Sequence, residues 1–214
     1  FSFEHVSPDS VGNTRRFLMS EVAGRSTILD KVRKVDPSVT KDSPVTAEIV
    51  AKIKEMEFFG YQFEGADASF ELLIRKSLGT YKPFFTLEKF KTIGEQISGE
   101  DFSPATAVVK VSVDGTSEIS AAEGNGPVNA LDVALRKALE RFYPSLKEFA
   151  LTDYKVRILD SKETSSAKTR VLIESGDGKD IFTTVGVSRD IIEASLTALK
   201  DAIEYKLIKD GVTP

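Results

Sequence analysis

Seven residues, Gly124-Asn125-Gly126-Pro127-Val128-Asn129-Ala130, close a run of small residues and open an amphipathic one. If a helix starts near Pro127, its first N–H groups have no partner within the helix, and its dipole favours an anion. Glycines at 124 and 126 let a ligand come close to the backbone, and Pro127 suits a first helical turn. The pattern therefore fits a carboxylate or phosphate held on backbone N–H groups. It also fits a plain strand–helix turn capped by Asn125 or Asn129. A matching junction is read at Val185-Gly186-Val187-Ser188, where Ser188 is placed to cap the next helix.

Other chemistry is sparse. His5 is the only histidine and there is no cysteine, which excludes disulfides, thiolate metal sites, a cysteine nucleophile and His-rich metal sites. A lone histidine is more often a packing or surface residue than a catalyst. No GxSxG and no P-loop occur, and no metal site is read in this chain. Glu118, Glu123, Asp132, Asp153 and Asp160 are scattered and read as mostly solvated. Tyr81, Phe84, Phe85 and Phe90 form an aromatic cluster that reads as core or interface. The net charge of −4, from 29 basic and 33 acidic side chains, argues against nucleic acid as a partner. No apolar run approaches the ~18 residues of a membrane span. The absence of cysteine fits a cytoplasmic protein. The opening "FSFEHVSPDS" reads as a cut through a longer protein.

These residues need elements to position them. Up to about residue 80 the apolar spacing predicts helices. Ile28, Leu29, Val32 and Val35 share one face, as do Ile49, Val50, Ile53 and Met56, and then Phe70, Leu73 and Ile74. Pro44 marks one start, and Gly60 and Gly79 mark stops. Beyond residue 83 the period changes to two. Ala107, Val109, Val111 and Val113 alternate, Asp114-Gly115 predicts a hairpin turn, and "TSEISAAEG" returns. Leu131, Leu135, Ala138, Leu139 and Phe142 then form a helix stripe, which Tyr143-Pro144 ends.

The order recurs. Val171 and Ile173 alternate, a turn follows at Gly176-Asp177-Gly178, and Ile181, Thr183 and Val185 alternate on the return. Ile192, Leu196, Leu199 and Ile203 then form a helix stripe. One more strand, "FFTLEKFKTIG" or "FALTDYKVRIL", precedes each set. The fold class expected is therefore α+β: a helical segment over 1–80, then 81–214 as two βββα units at about 83–144 and 148–210, related by a shift of 61 residues. One-sided sheets and helices share a core, and free strand edges make a homodimer the default expectation.

"FEHVSPDSVGNTRR", "SEVAGRSTI", "GYQFEGADASFELLIRKSLG" and "EGNGPVNALDVALRKAL" together resemble the carboxy-terminal part of the 2-isopropylmalate/homocitrate/citramalate synthase family. The resemblance covers essentially the whole chain and leans to the citramalate branch. It implies a metal-dependent TIM-barrel catalytic domain upstream of this chain, helical linker subdomains, and a regulatory, dimer-forming domain of two βββα units. It further implies a condensation of acetyl-CoA with a 2-oxo acid, pyruvate in the citramalate branch, with a divalent cation held in the barrel and no cofactor in this chain. Alone, the chain is expected to be inactive.

By the same resemblance, His5 matches a linker histidine that assists acid–base chemistry in the partner subunit, although "SPDSVGN" departs from the "HQDG" form of isopropylmalate synthases. A branched-chain amino acid is the implied feedback inhibitor, isoleucine first and leucine next. Its carboxylate would lie on backbone N–H groups around Gly124, Asn125, Gly126, Pro127 and Asn129, with Ala130, Val187 and Ile191 lining its side chain and Ser188 at the second junction. Family members often carry Asp where this chain has Asn129. The other readings are a 2-isopropylmalate synthase with leucine as effector, and a stand-alone amino-acid-binding dimerisation module.

Overall fold

The computed structural model describes residues 8–12, 25–94, 104–159 and 167–214. After a 3-10 turn at Pro8–Val11 come three helices: α1 (Arg25–Val35), α2 (Pro44–Phe59) and α3 (Asp67–Ser77). Their expected apolar faces meet, with Ile28, Leu29, Val32, Ile49, Val50, Ile53, Phe70, Leu73 and Ile74 all in one buried cluster. Pro44 sits in the first turn of α2, and Gly60 closes it at φ 122°, donating its N–H to the Met56 and Glu57 carbonyls.

Two antiparallel three-stranded sheets follow. The first has the order β1 (Thr86–Gly94), β2 (Ala105–Val113), β3 (Thr116–Gly124) and is followed by α4 (Pro127–Leu139). The second has the order β4 (Ala150–Ile158), β5 (Thr169–Gly176), β6 (Ile181–Ser188) and is followed by α5 (Ile191–Lys209). Asp114 and Gly115 turn the first hairpin with φ of 48° and 77°, both positive as a two-residue type I′ turn requires. The chain is α+β, with two βββα units, as the alternation indicates.

The repeat is 64 residues, not 61: Thr86 and Ala150, Ala105 and Thr169, and Pro127 and Ile191 open corresponding elements. Even the irregularities correspond, at Leu87/Lys89 in β1 and at Leu151/Asp153 in β4. The shorter shift misleads because a helical stripe spaced i, i+3, i+4 overlays itself after a three-residue slip. Leu131 falls on Ile192 under the slipped register, whereas its true counterpart is Ser195.

Leu131, Leu135 and Leu139 of α4 are fully buried with Leu199, Ile203 and Leu207 of α5 in one core that also takes Val109, Val111, Val171 and Ile173. Each such side chain contributes about 1.5–3 kcal/mol on leaving water. Phe84 and Phe85 are buried in this core, and Tyr143 donates its hydroxyl to the Phe84 carbonyl at 2.7 Å. The α4 helix stops at Leu139, earlier than Tyr143-Pro144, and the N–H groups of Phe142 and Tyr143 both turn back to the Leu139 carbonyl.

In the second sheet, β5 and β6 are covered on both faces. Phe182 and Thr184 of β6 face α5, and the Thr184 hydroxyl donates to the Ala198 carbonyl at 2.8 Å. The face expected to be the core, Ile181, Thr183 and Val185, points the other way, where Val185 is buried in the cluster of α1–α3. Asp132, expected to be solvated, is buried and takes both Arg136 nitrogens, at 3.1 and 2.9 Å.

Candidate functional site

The first junction has a helix start where the sequence places it, with Pro127 in the first turn of α4. The two glycines have separate reasons. A Cβ on Gly124 would lie 2.5 Å from both the Ala130 backbone nitrogen and Asn129 Oδ1, so this strand end lies directly on the helix. Gly126 has φ 152° and ψ 168°, a conformation essentially reserved for glycine. Asn129 Oδ1 accepts the Asn125 N–H at 3.1 Å, folding the loop back on the first turn. Gly126 stands at the N-cap position and offers no side chain to Val128 or Asn129. Gly124, Asn125, Gly126, Pro127, Asn129 and Ala130 thus form one compact element whose helix start has no side-chain cap.

The second junction is built differently. The counterpart of Gly124-Asn125-Gly126-Pro127 is Ser188-Arg189-Asp190-Ile191. Asp190 Oδ1 accepts the Ile192 N–H at 2.7 Å and the Glu193 N–H at 3.4 Å, so a carboxylate of the chain occupies this helix start. Ser188, expected as the cap, instead accepts the Asp190 N–H at 3.1 Å and donates to Glu193 Oε2 at 3.0 Å. Val187 points toward Gly60 and Leu159, on the side of the sheet facing the helices, rather than into the first junction. Ile191 opens α5 and is partly exposed. His5 lies outside the described residues.

A polar seam that apolar spacing does not reveal ties the helices to the second unit. The Ser69 hydroxyl on α3 donates to Asp201 Oδ2 at 2.8 Å and accepts the Val185 N–H of β6 at 3.0 Å. Lys76 Nζ reaches Asp201 Oδ1 at 3.3 Å, and the Tyr205 hydroxyl donates to Glu71 Oε2 at 2.9 Å. Glu204 Oε2 accepts the Phe84 N–H at 3.2 Å. Arg170 of β5 donates to the Gly60 carbonyl and to Gln62 Oε1, each at 2.6 Å.

Burial pushes the Asp201 carboxyl upward, against the pull of Lys76 and Ser69. Burial likewise raises Glu204 to about 7.

The first junction offers backbone N–H groups and a helix dipole, which bind an anion but break no bond. Among the described residues no group of three His, Asp or Glu side chains is placed to hold a metal ion. Among the described residues no helix is long and apolar enough to cross a membrane.

Residues 64–207 match the family described as "LeuA allosteric (dimerisation) domain". The chain belongs to this family. The LeuA domain match spans all of α3, both sheets and α4, and runs nearly to the end of α5. Relatives extend the likeness over nearly all of the chain. The (R)-citramalate synthase of Geobacter sulfurreducens is 51% identical over 97% of this chain and 39% of its own length. That of Aquifex aeolicus is 47% identical over 98% of this chain and 40% of its own. A protein of Methanopyrus kandleri named "Probable 2-isopropylmalate synthase" is 29% identical over 92% of this chain and 38% of its own length. The chain thus spans about two fifths of the length of the relatives it matches.

Proposed function

We propose that this LeuA domain and its helices form the allosteric, dimerising part of a condensing acyltransferase of the (R)-citramalate synthase type. The observation that carries this reading is the identity of 51% and 47% to two such synthases across nearly the whole chain. In the whole protein, acetyl-CoA and pyruvate condense in an upstream barrel that also holds the divalent cation. This chain supplies control and pairing as a homodimer. His5 is the one residue here assigned to the chemistry, as an acid–base group reaching the partner's barrel.

The effector we assign is a branched-chain amino acid, isoleucine before leucine, at the first junction. Its support is the contrast between the two helix starts. Asp190 fills the second, whereas Gly126 leaves the first without a side-chain cap. An α-carboxylate placed on the Val128 and Asn129 N–H groups does for α4 what Asp190 does for α5. The 29% relative from Methanopyrus favours a second reading, a 2-isopropylmalate-type synthase answering to leucine.

Calorimetric titration of the chain with isoleucine, leucine, valine and lysine separates these. Saturable binding of isoleucine alone supports the citramalate-type reading. Tight leucine binding moves the assignment to the second reading. Binding of none removes the effector role and leaves dimerisation. Inhibition is assigned to stiffening of the regulatory dimer, which displaces the helices and His5. Tight isoleucine binding to the full-length protein that leaves hydrogen exchange in α1–α3 unchanged would overturn that mechanism.

A further inference from the structure

The face of the second sheet that looks toward the helices carries two arginines side by side. Arg157 of β4 stands directly opposite Arg170 of β5, so both side chains leave the sheet on the same side. Like charges in directly opposed positions are destabilising, since the strands hold their Cβ atoms only about 4.5–5.5 Å apart. Arg170 is held where it stands. Its Nε donates to the Gly60 carbonyl and its Nη1 to Gln62 Oε1, each at 2.6 Å. Lys168 adds a third cation on this side, with Nζ 4.4 Å from the centre of the Phe59 ring. Arg157 is exposed and has no hydrogen bond or ion pair among the described residues. In the first unit the same pair of positions carries Ile93 and Thr106. The βββα plan itself therefore does not call for the arginine pair.

Both arginines line a cavity of about 310 Å³ between this sheet and the end of α2. Glu57 and Glu64 bring carboxylates to it from the helix side, and Tyr61 and Leu159 bring apolar surface. That volume is at the lower end of the range for small-molecule sites. A guanidinium matches a carboxylate through two parallel N–H···O bonds, which are shorter and stronger than neutral ones. An anion placed between Arg157 and Arg170 replaces their mutual repulsion by attraction to a shared partner. The two glutamates set the rest of the ligand. They repel a second negative charge and accept hydrogen bonds from hydroxyl groups.

We propose that this cavity binds a small hydroxylated monocarboxylic acid. Its carboxylate lies on the Arg157 fork beside Arg170, and its hydroxyl groups point to Glu64. Arg157 makes the two-pronged contact, while Arg170, fixed from behind, supplies the second positive charge. The site is in the second unit, at its boundary with the helices, and shares no residue with the first junction.

The test is calorimetric titration and thermal melting of the chain with D-glycerate at constant ionic strength, for the wild type, Arg157→Gln, Arg157→Lys and Pro127→Asp. Saturating glycerate should raise the wild-type melting temperature by about 2 °C or more. Arg157→Gln should bind about tenfold more weakly, because it loses a charge-assisted pair. Arg157→Lys keeps the charge but not the planar fork and should bind about threefold more weakly. Pro127→Asp, blocked at the first junction, should bind as the wild type does. A loss of glycerate binding in that variant would place the carboxylate at the first junction and overturn the proposal. So would a wild type that does not bind, or an Arg157→Gln that binds equally well.

Melting without glycerate gives an independent reading. At low salt Arg157→Gln should melt above the wild type, because it removes a cross-strand repulsion. A lower melting temperature would show that Arg157 already has a partner within the chain, and would overturn the proposal. Inorganic phosphate is titrated alongside, and tighter binding of phosphate than of glycerate would overturn the assignment to a carboxylate.

Discussion

Gly124 and Gly126 answer to different physics, so substitution separates them. Gly124→Ala forces a methyl group against the Ala130 backbone nitrogen. Overpacking of this kind costs about 1–3 kcal/mol, which a urea melt should show as a lower midpoint at unchanged slope. Gly126→Ala puts a side chain on a backbone conformation that costs on the order of 1–3 kcal/mol outside glycine, and α4 should fray at its start in hydrogen exchange.

Glu204 sets a pH dependence. Its folded pKa of about 7 lies above the ordinary value of 4.5 because burial disfavours the charged form. The folded state therefore holds this proton more tightly than the unfolded state. The resulting stabilisation is full below pH ~4.5 and is lost as the pH rises through ~7. The Glu204 contribution should decline across that window, and thermal melts of Glu204→Gln should be flatter there.

At the scale of elements, the polar link between α3 and β6 runs through one hydroxyl, beside the apolar packing of Val185. Ser69 accepts the Val185 N–H on one side and donates to Asp201 on the other. Ser69→Ala leaves a buried carboxyl and a strand-edge N–H short of a partner, a loss of about 1–3 kcal/mol. Amide exchange at Val185 should quicken well before global unfolding, while β2 and β3 remain protected. The two helix starts give a matched pair. Asp190→Ala removes the cap of α5 and should cost about 0.5–2 kcal/mol, whereas Asn129→Ala removes no direct cap and only frees the Asn125 N–H.

Much of this level was legible. The stripes of α1–α5 and the alternation of β2 and β5 follow from apolar spacing that the core then uses. β6 misled because both of its faces are buried, so its alternation carries no direction. Ser69, Asp201 and Arg170 were not legible, since a polar residue that bridges distant elements has no local pattern.

For the molecule as a whole, the helices are fastened to the second unit by the Ser69, Glu71 and Arg170 contacts, while the helix start without a side-chain cap is in the first. The first unit meets the second across the shared core of α4 and α5. An effector held at the first junction, as proposed above, would reach the helices through α5. A ligand bound only to the folded state at one hundred times its dissociation constant adds ~2.7 kcal/mol of stability. Isoleucine at that level should raise the melting temperature of the wild type but not of Pro127→Asp, whose carboxylate occupies the same positive helix end. The family was legible in the junction and the segments that share its resemblance. The choice of effector was not, because one methyl group discriminates by only ~1–3 kcal/mol.

The bulge shared by β1 and β4 also carries a record of ancestry. Bulges are kept within families because removing one re-registers every residue beyond it. Two strands that bulge after the same position, 64 residues apart, are most simply copies of a single strand that already had the irregularity. On that descent, the forebear would be a half-length chain whose lone helix found its cover by pairing with a twin, and fusion would make that pairing permanent and leave the two helix ends free to diverge.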